Sequence, residues 1–158
     1  MTYSQLTPSA DLFRRPVQLL QDLIRFDTTN PPGNEKECIK YLQALLSQAG
    51  CETVLLGRSP DRPNLISRLT GGGQAPPLLL HAHVDVVPAR QQDWQHPPFE
   101  GKLVDGYVWG RGALDMKGGI VMMISAFLRL KSEGSLPPGD VILVLVSDEE
   151  TGGDFGTK

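Results

Sequence analysis

The chain has 158 residues, 40% of them hydrophobic, and a formal net charge of -3. That length suggests one domain with enough apolar material for a core, and the absence of any basic block argues against nucleic acid or an anionic membrane as partner. No apolar run approaches the ~20 residues of a membrane span, and Met1 to Arg15 lack the apolar centre of a signal peptide.

Leu6 to Arg15 is a loose lead-in. Pro16 suits the first turn of a helix, and Val17, Leu20, Leu23 and Ile24 give that helix an apolar stripe. Asp27-Thr28-Thr29-Asn30-Pro31-Pro32-Gly33 is a loop by composition. Asn34 is placed to cap a second helix with Glu35 and Glu37 in its first turn, Cys38, Leu42, Leu45 and Ala49 on its apolar face, and Gly50 as its stop. Cys38 and Cys51 are the only cysteines. Two isolated thiols form no disulfide framework and fit a reducing cytoplasm.

Glu52 to Leu56 and Asn64 to Leu69 read as strands, and Gly71-Gly72-Gly73 as a turn. Leu78-Leu79-Leu80-His81-Ala82-His83-Val84-Asp85, bounded by Pro77 and Pro88, reads as a buried strand running into metal-capable side chains. Alternation along a strand puts His81, His83 and Asp85 on one face. Lys102-Leu103-Val104, Asp105-Gly106, Tyr107-Val108-Trp109 is a hairpin signal, because Asp-Gly suits a type I′ turn. A helix from Lys117 to Glu133 comes next, with Ile120, Met123, Ile124, Phe127 and Leu130 inward and Gly134 as its stop. Asp140 to Val146 is a second buried strand, ending in Ser147-Asp148-Glu149-Glu150-Thr151-Gly152-Gly153. Strands alternating with helices predict an α/β fold, a mostly parallel sheet flanked by helices.

Three polar clusters succeed apolar or aromatic segments: His81/His83/Asp85, Asp115, and Asp148/Glu149/Glu150. A parallel sheet brings strand ends to one edge, so the clusters can converge. Imidazole with carboxylate and no thiolate suits zinc, with manganese or cobalt as alternatives. One of Glu149 and Glu150 can ligate while its neighbour acts as base. Each cluster also has a plainer reading: a polar strand end, a helix cap at Asp115, a solvated acidic turn at 148–150. Gly110-Arg111-Gly112 is no dinucleotide loop, since Asp115 replaces the third glycine, and Gly71 to Gly73 lacks the Lys-Ser/Thr of a P-loop.

His83-x-Asp85-Val86-Val87-Pro88, then Gly110-Arg111-Gly112-x-x-Asp115-Met116-Lys117-Gly118-Gly119, then Asp148-Glu149-Glu150-x-Gly152-Gly153 resemble the three signatures of a zinc peptidase and deacylase family. It includes acetylornithine deacetylase, succinyl-diaminopimelate desuccinylase, aminoacylase and glutamate carboxypeptidase. The loop from Asp27 to Glu35 is similar to that family's N-terminal loop, and Ala82 departs mildly from the more usual glycine. The resemblance runs from about Val17 to Lys158. It implies two divalent metal ions, with His83 a ligand of one, Asp115 bridging both and Glu150 a ligand of the second. It also implies that Asp85 orients His83, that Glu149 is the general base, and that the Asp115–Met116 peptide is cis. The implied reaction is hydrolysis of an N-acyl amino acid or small peptide by a metal-activated water. His81 has no part in it.

The same resemblance implies that residues 1–158 are the N-terminal portion of a phosphorylase/hydrolase-like zinc peptidase catalytic domain, incomplete. It needs two further ligands, an acidic residue beyond Asp148-Glu149-Glu150 and a late histidine, and a lid domain that pairs subunits as a homodimer. The expectation is therefore a fragment that holds metal weakly and is inactive alone. Two readings compete. A metallo-β-lactamase-like hydrolase would use His81, His83 and Asp85, but Val86 stands where its final histidine belongs. A non-catalytic truncated relative would have lost a ligand or the base, whereas His83, Asp115 and Glu149 are all present.

Overall fold

The computed structural model describes residues 7–90, 92–156 and 158. The start of the lead-in, through Leu6, lies outside the described residues. Among the described residues, a short 3-10 turn (Leu12–Arg14) precedes three α-helices and six strands in the order α1 (Pro16–Arg25), α2 (Lys36–Gln48), β1 (Thr53–Leu56), β2 (Asn64–Leu69), β3 (Leu78–His83), β4 (Lys102–Val104), β5 (Tyr107–Trp109), α3 (Lys117–Ser132) and β6 (Val141–Val146).

Each helix starts and stops where its sequence allows. Pro16 occupies the first turn of α1, and Leu19, Leu23 and Ile24 bury its inner face. In α2 the N-cap is Glu35 rather than Asn34. Asn34 instead donates its side-chain amide to the Asp27 carbonyl at 2.9 Å, closing the loop before the helix. Cys38 and Cys51 are both free and buried. In α3, Ile120, Ile124 and Phe127 are buried as the spacing predicts, and Val121 and Leu128 join them. Asp105 and Gly106 both take positive φ, 50° and 83°, which is the backbone a two-residue type I′ turn between β4 and β5 requires.

The main sheet has the order β1-β2-β6-β3. The α/β architecture with flanking helices stands, but the sheet is mixed rather than mostly parallel. β1 with β2 and β2 with β6 are antiparallel, and only β3 with β6 is parallel. The reason lies in the connections. A parallel crossover needs a dozen or more residues, usually a helix. Only the path from β3 to β6 contains one, α3.

β6 is central and β3 is an edge strand, which corrects the expectation that β3 is buried along its length. Leu78 and Leu79 are 56% and 58% exposed, while Ala82 and His83 at the other end are buried. The core lies where α1, α2 and α3 meet the sheet, around Leu19, Leu42, Ile124, Leu143 and Leu145. The register pairs His83 with Val146, so the ends of β3 and β6 lie side by side. Both polar clusters therefore leave the sheet at the same edge, the usual place for a site in an open α/β sheet.

Candidate metal centre

His83 ends β3, and Asp85, two residues on, sets the orientation of its ring. Nδ1 lies 3.0 Å from the Asp85 backbone carbonyl and 3.4 Å from the Asp85 carboxylate. Both are acceptors, so Nδ1 carries a proton and Nε2 is the ring nitrogen that faces outward. Nε2 faces acid on two sides: Asp115 Oδ1 at 3.2 Å and Glu149 Oε2 at 3.8 Å. Ligand atoms of His83, Glu149 and Glu150 all lie within 4.8 Å of one another. Asp115, 76% exposed at its side chain, stands over the same nitrogen and supplies no cap to α3. Its peptide bond to Met116 is cis, as expected.

Asp85 is fully buried and organises the acidic loop. It accepts the Asn30 side-chain amide at 2.8 Å and the backbone N–H groups of Glu149 and Glu150 at 3.1 and 3.0 Å. Two adjacent amides on one carboxylate fix where the Glu149 and Glu150 side chains start. Asn30 reaches this point because its loop zips onto the chain after β3. Asn30 N–H donates to the Val86 carbonyl at 2.9 Å, and the Thr28 hydroxyl to the Val84 carbonyl at 2.7 Å.

Asp148 belongs to the scaffold and not to the ligand cluster. It is buried, with φ of 70°, and accepts from Asn30 at 3.0 Å, Phe155 N–H at 3.1 Å and the Arg62 guanidinium at 3.1 Å. Burial works against its charge, but these donors and the Thr151 hydroxyl hold its carboxyl far below the usual range.

The electrostatics call for a cation. Burial opposes a charged imidazole, yet Asp85 and Glu149 raise the His83 pKa to about 9. Burial raises the Glu150 carboxyl, and its acidic neighbours Asp115, Asp85 and Glu149 add to that shift against the pull of His83. A single imidazole amid several carboxylates favours a nearby positive charge, and the donor set of nitrogen and oxygen without sulfur fits zinc, manganese or cobalt. His81 is exposed and outside this group. That removes the observation on which the β-lactamase-like reading rests, because its two histidines do not converge.

The sequence pointed to His83, Asp85, Asp115, Glu149 and Glu150 as one group, gave Asn30 and Glu35 no role beyond the N-terminal loop and the first turn of α2, and did not point to Arg62. Asn30 and Glu35 had a signal, since the loop from Asp27 to Glu35 is similar to the family's N-terminal loop, but their polar partners could not be read from it. Arg62 had none.

The sequence model of peptidase family M20/M25/M40 matches residues 79–158, half of the chain. A probable succinyl-diaminopimelate desuccinylase of Staphylococcus epidermidis is 38% identical over 136 residues, covering 85% of this chain and 33% of that protein. The chain thus spans about a third of the length of the curated relatives it matches. The fold is similar to that of the dipeptidase Dug1p of Saccharomyces cerevisiae, with a TM-score of 0.75, 21% identity, and coverage of 91% of this chain and 34% of the other. It also resembles a Bacillus subtilis protein described as a dinuclear metal binding peptidase of the M20 family, with a TM-score of 0.58, 16% identity, and coverage of 85% and 35%. With its metal-capable residues gathered at the ends of β3 and β6, the chain belongs to peptidase family M20/M25/M40.

Proposed function

We propose that the chain carries the metal-holding part of a hydrolase that cleaves the amide bond of an N-acyl amino acid or small peptide. The observation that carries this reading is the convergence of His83, Glu149 and Glu150 within 4.8 Å above the buried Asp85. His83 Nε2, Asp115 and Glu150 would hold divalent ions, zinc by the nature of the donors. Two such ions are favoured by Asp115, whose exposed carboxylate lies beside His83 Nε2, and by the B. subtilis neighbour's description as dinuclear. Bound there, such ions would supply a Lewis acid for the scissile carbonyl and for water.

The protein's own residues do the rest. Asp85 holds His83 in the Nδ1–H tautomer. The same carboxylate holds the Glu149 and Glu150 amides, so that the two side chains diverge from one fixed stretch of backbone. Glu149, half exposed, takes the proton of the attacking water and returns it to the leaving amine. The name of the S. epidermidis relative supports an N-succinyl amino acid as the acyl substrate. In the same reading the remaining ligands and a subunit-pairing lid lie in parts of the relatives that this chain does not span. The free, buried thiols support a cytoplasmic setting.

Metal titration separates the roles. His83→Ala and Glu150→Gln are expected to weaken zinc binding at least about tenfold, while Glu149→Gln keeps it. In a chain as long as its relatives, Glu149→Gln should lower amide hydrolysis by about 10²- to 10⁴-fold. Loss of metal with Glu149→Gln would reassign Glu149 as a ligand. His81→Ala is expected to leave zinc affinity unchanged, since His81 is exposed and outside the cluster. A drop there would revive the paired-histidine site.

A further inference from the structure

Behind the acidic loop runs a buried chain of charge that touches no ligand atom of the cluster. Glu35, fully buried at the N-cap of α2, receives the Arg62 guanidinium as a two-pronged pair, with Nε to Oε2 at 3.1 Å. Arg62, on the loop between β1 and β2, is only 12% exposed at its side chain and passes its Nη2 on to Asp148 Oδ1 at 3.1 Å. The guanidinium also lies 4.8 Å from the centre of the Phe155 ring. It packs against Gly33, where a Cβ would sit 2.4 Å from Arg62 Cζ, so a side chain there would displace the guanidinium, and the φ of 95° itself favours glycine. Asp148 in turn shares the Asn30 amide with Asp85. Asp85 carries the Glu149 and Glu150 backbone amides.

We propose that Arg62 is a positioning residue for the metal centre: through Asp148 and Asn30 it sets how far the Glu149–Glu150 pair stands from His83. The inference rests on the reading of His83, Glu149 and Glu150 as a metal site. An ion pair that merely anchored the 57–63 loop would need only Glu35. Here one guanidinium is shared between Glu35 and the residue immediately before Glu149. Asp148 holds a left-handed backbone, and its carboxylate gathers Arg62, Asn30, Thr151 and the Phe155 amide. A shift of Arg62 therefore moves the start of the ligand loop. Lysine cannot replace it, because an ammonium is a point charge and cannot serve the Glu35 fork and Asp148 in fixed geometry.

The test is a Co²⁺ titration of a chain as long as its relatives, read by visible absorption, beside thermal melts of the metal-free protein. Arg62→Lys is expected to bind Co²⁺ about tenfold more weakly, at unchanged stoichiometry and with a shifted absorption band. Glu35→Gln keeps the shape and one acceptor, leaves folding less disturbed, and should move both readouts in the same direction by less. If both variants melt lower yet keep the wild-type affinity and band, the network is structural only and the proposal is overturned. His83→Ala is the control for the underlying reading. Cobalt binding that survives it, or a wild type that binds none, overturns the metal-site reading and the proposal with it.

Discussion

Asp85→Ala is expected to lose metal binding and to destabilise the fold by about 3–5 kcal/mol. The carboxylate is fully buried and has three donors: the Asn30 amide and the Glu149 and Glu150 N–H groups. Deleting it orphans them where water reaches poorly, at about 1–3 kcal/mol for each group left unmet. The sum is not additive, and it is opposed by relief of repulsion between Asp85 and Glu150. The direction of the Asp85 pKa shows which form of the carboxyl the fold prefers. Burial pushes it up, yet His83, Asn30 and the two backbone amides overcome this and hold it below its ordinary 3.8. The folded state therefore prefers the ionised group, and a domain of typical stability, about 5–15 kcal/mol, feels its loss. The contribution is complete above the ordinary value and disappears as pH falls through the lowered one. Urea unfolding with chelator present should thus separate wild type from Asp85→Ala widely at about pH 7 and less at about pH 3. A gap below about 1 kcal/mol at neutral pH, or zinc bound at wild-type affinity, would contradict this role.

What could be read from the sequence was what is local. The two-residue Asp105-Gly106 turn announces its hairpin because its backbone demand falls on adjacent residues. The ends of β3 and β6 were legible because each apolar run breaks abruptly into metal-capable side chains, and α3 between them supplies the crossover that parallel pairing needs. The lack of other crossover helices weighs equally against a mostly parallel sheet. Between β1 and β2 there is only loop, which leaves antiparallel pairing as the short solution, and the loop from β2 to β3 reverses the chain so that β6 enters between them, antiparallel to β2 and parallel to β3. That β3 sits at an edge was not readable from Leu78 and Leu79, because an apolar run gives hydrophobicity and not the number of neighbours. Least legible were the long-range polar partners. Arg62 meets Glu35 across 27 positions, and Asn30 meets Asp148 across 118. No period or spacing carries such a pairing, since it exists only after β2 and β6 pair and the N-terminal loop closes over the end of β3.

Lys117→Met is expected to cost about 1–3 kcal/mol at neutral pH, and more in alkaline solution. Lys117 opens α3 two residues after Asp115, and its whole side chain is buried. The ammonium donates to the Leu23 carbonyl at 3.0 Å and the Phe26 carbonyl at 2.7 Å, at the C-terminal end of α1. It thereby joins that end, where the helix dipole is negative, to the segment that carries Asp115. Methionine fills a similar volume, so the loss is polar rather than a cavity. Leu23 O still receives the Phe26 N–H, but Phe26 O loses a strong donor, which sets the estimate at about one unmet acceptor. Against this stands the cost of burying the charge. Burial lowers the Lys117 pKa from its ordinary 10.5 to about 8, with Cys38 and Asp27 pulling the other way. Below about pH 8 the amine is protonated in both folded and unfolded chains, and the full burial cost is present. Between 8 and 10.5 the unfolded chain still holds the proton and the folded one does not, so wild-type stability rises with pH, by at most ~1.4 kcal/mol per unit. The neutral amine keeps its donor hydrogens for the two carbonyls. Methionine has no such slope, so the gap between wild type and variant should widen from about pH 8 to pH 10.5 while other groups cancel in the difference. Chemical denaturation at about pH 7, about pH 8.5 and about pH 10 decides it. A variant as stable as wild type at neutral pH would mean that the burial cost outweighs the two hydrogen bonds. A gap that narrows with pH would mean that the folded protein holds the ammonium more tightly than the unfolded chain does.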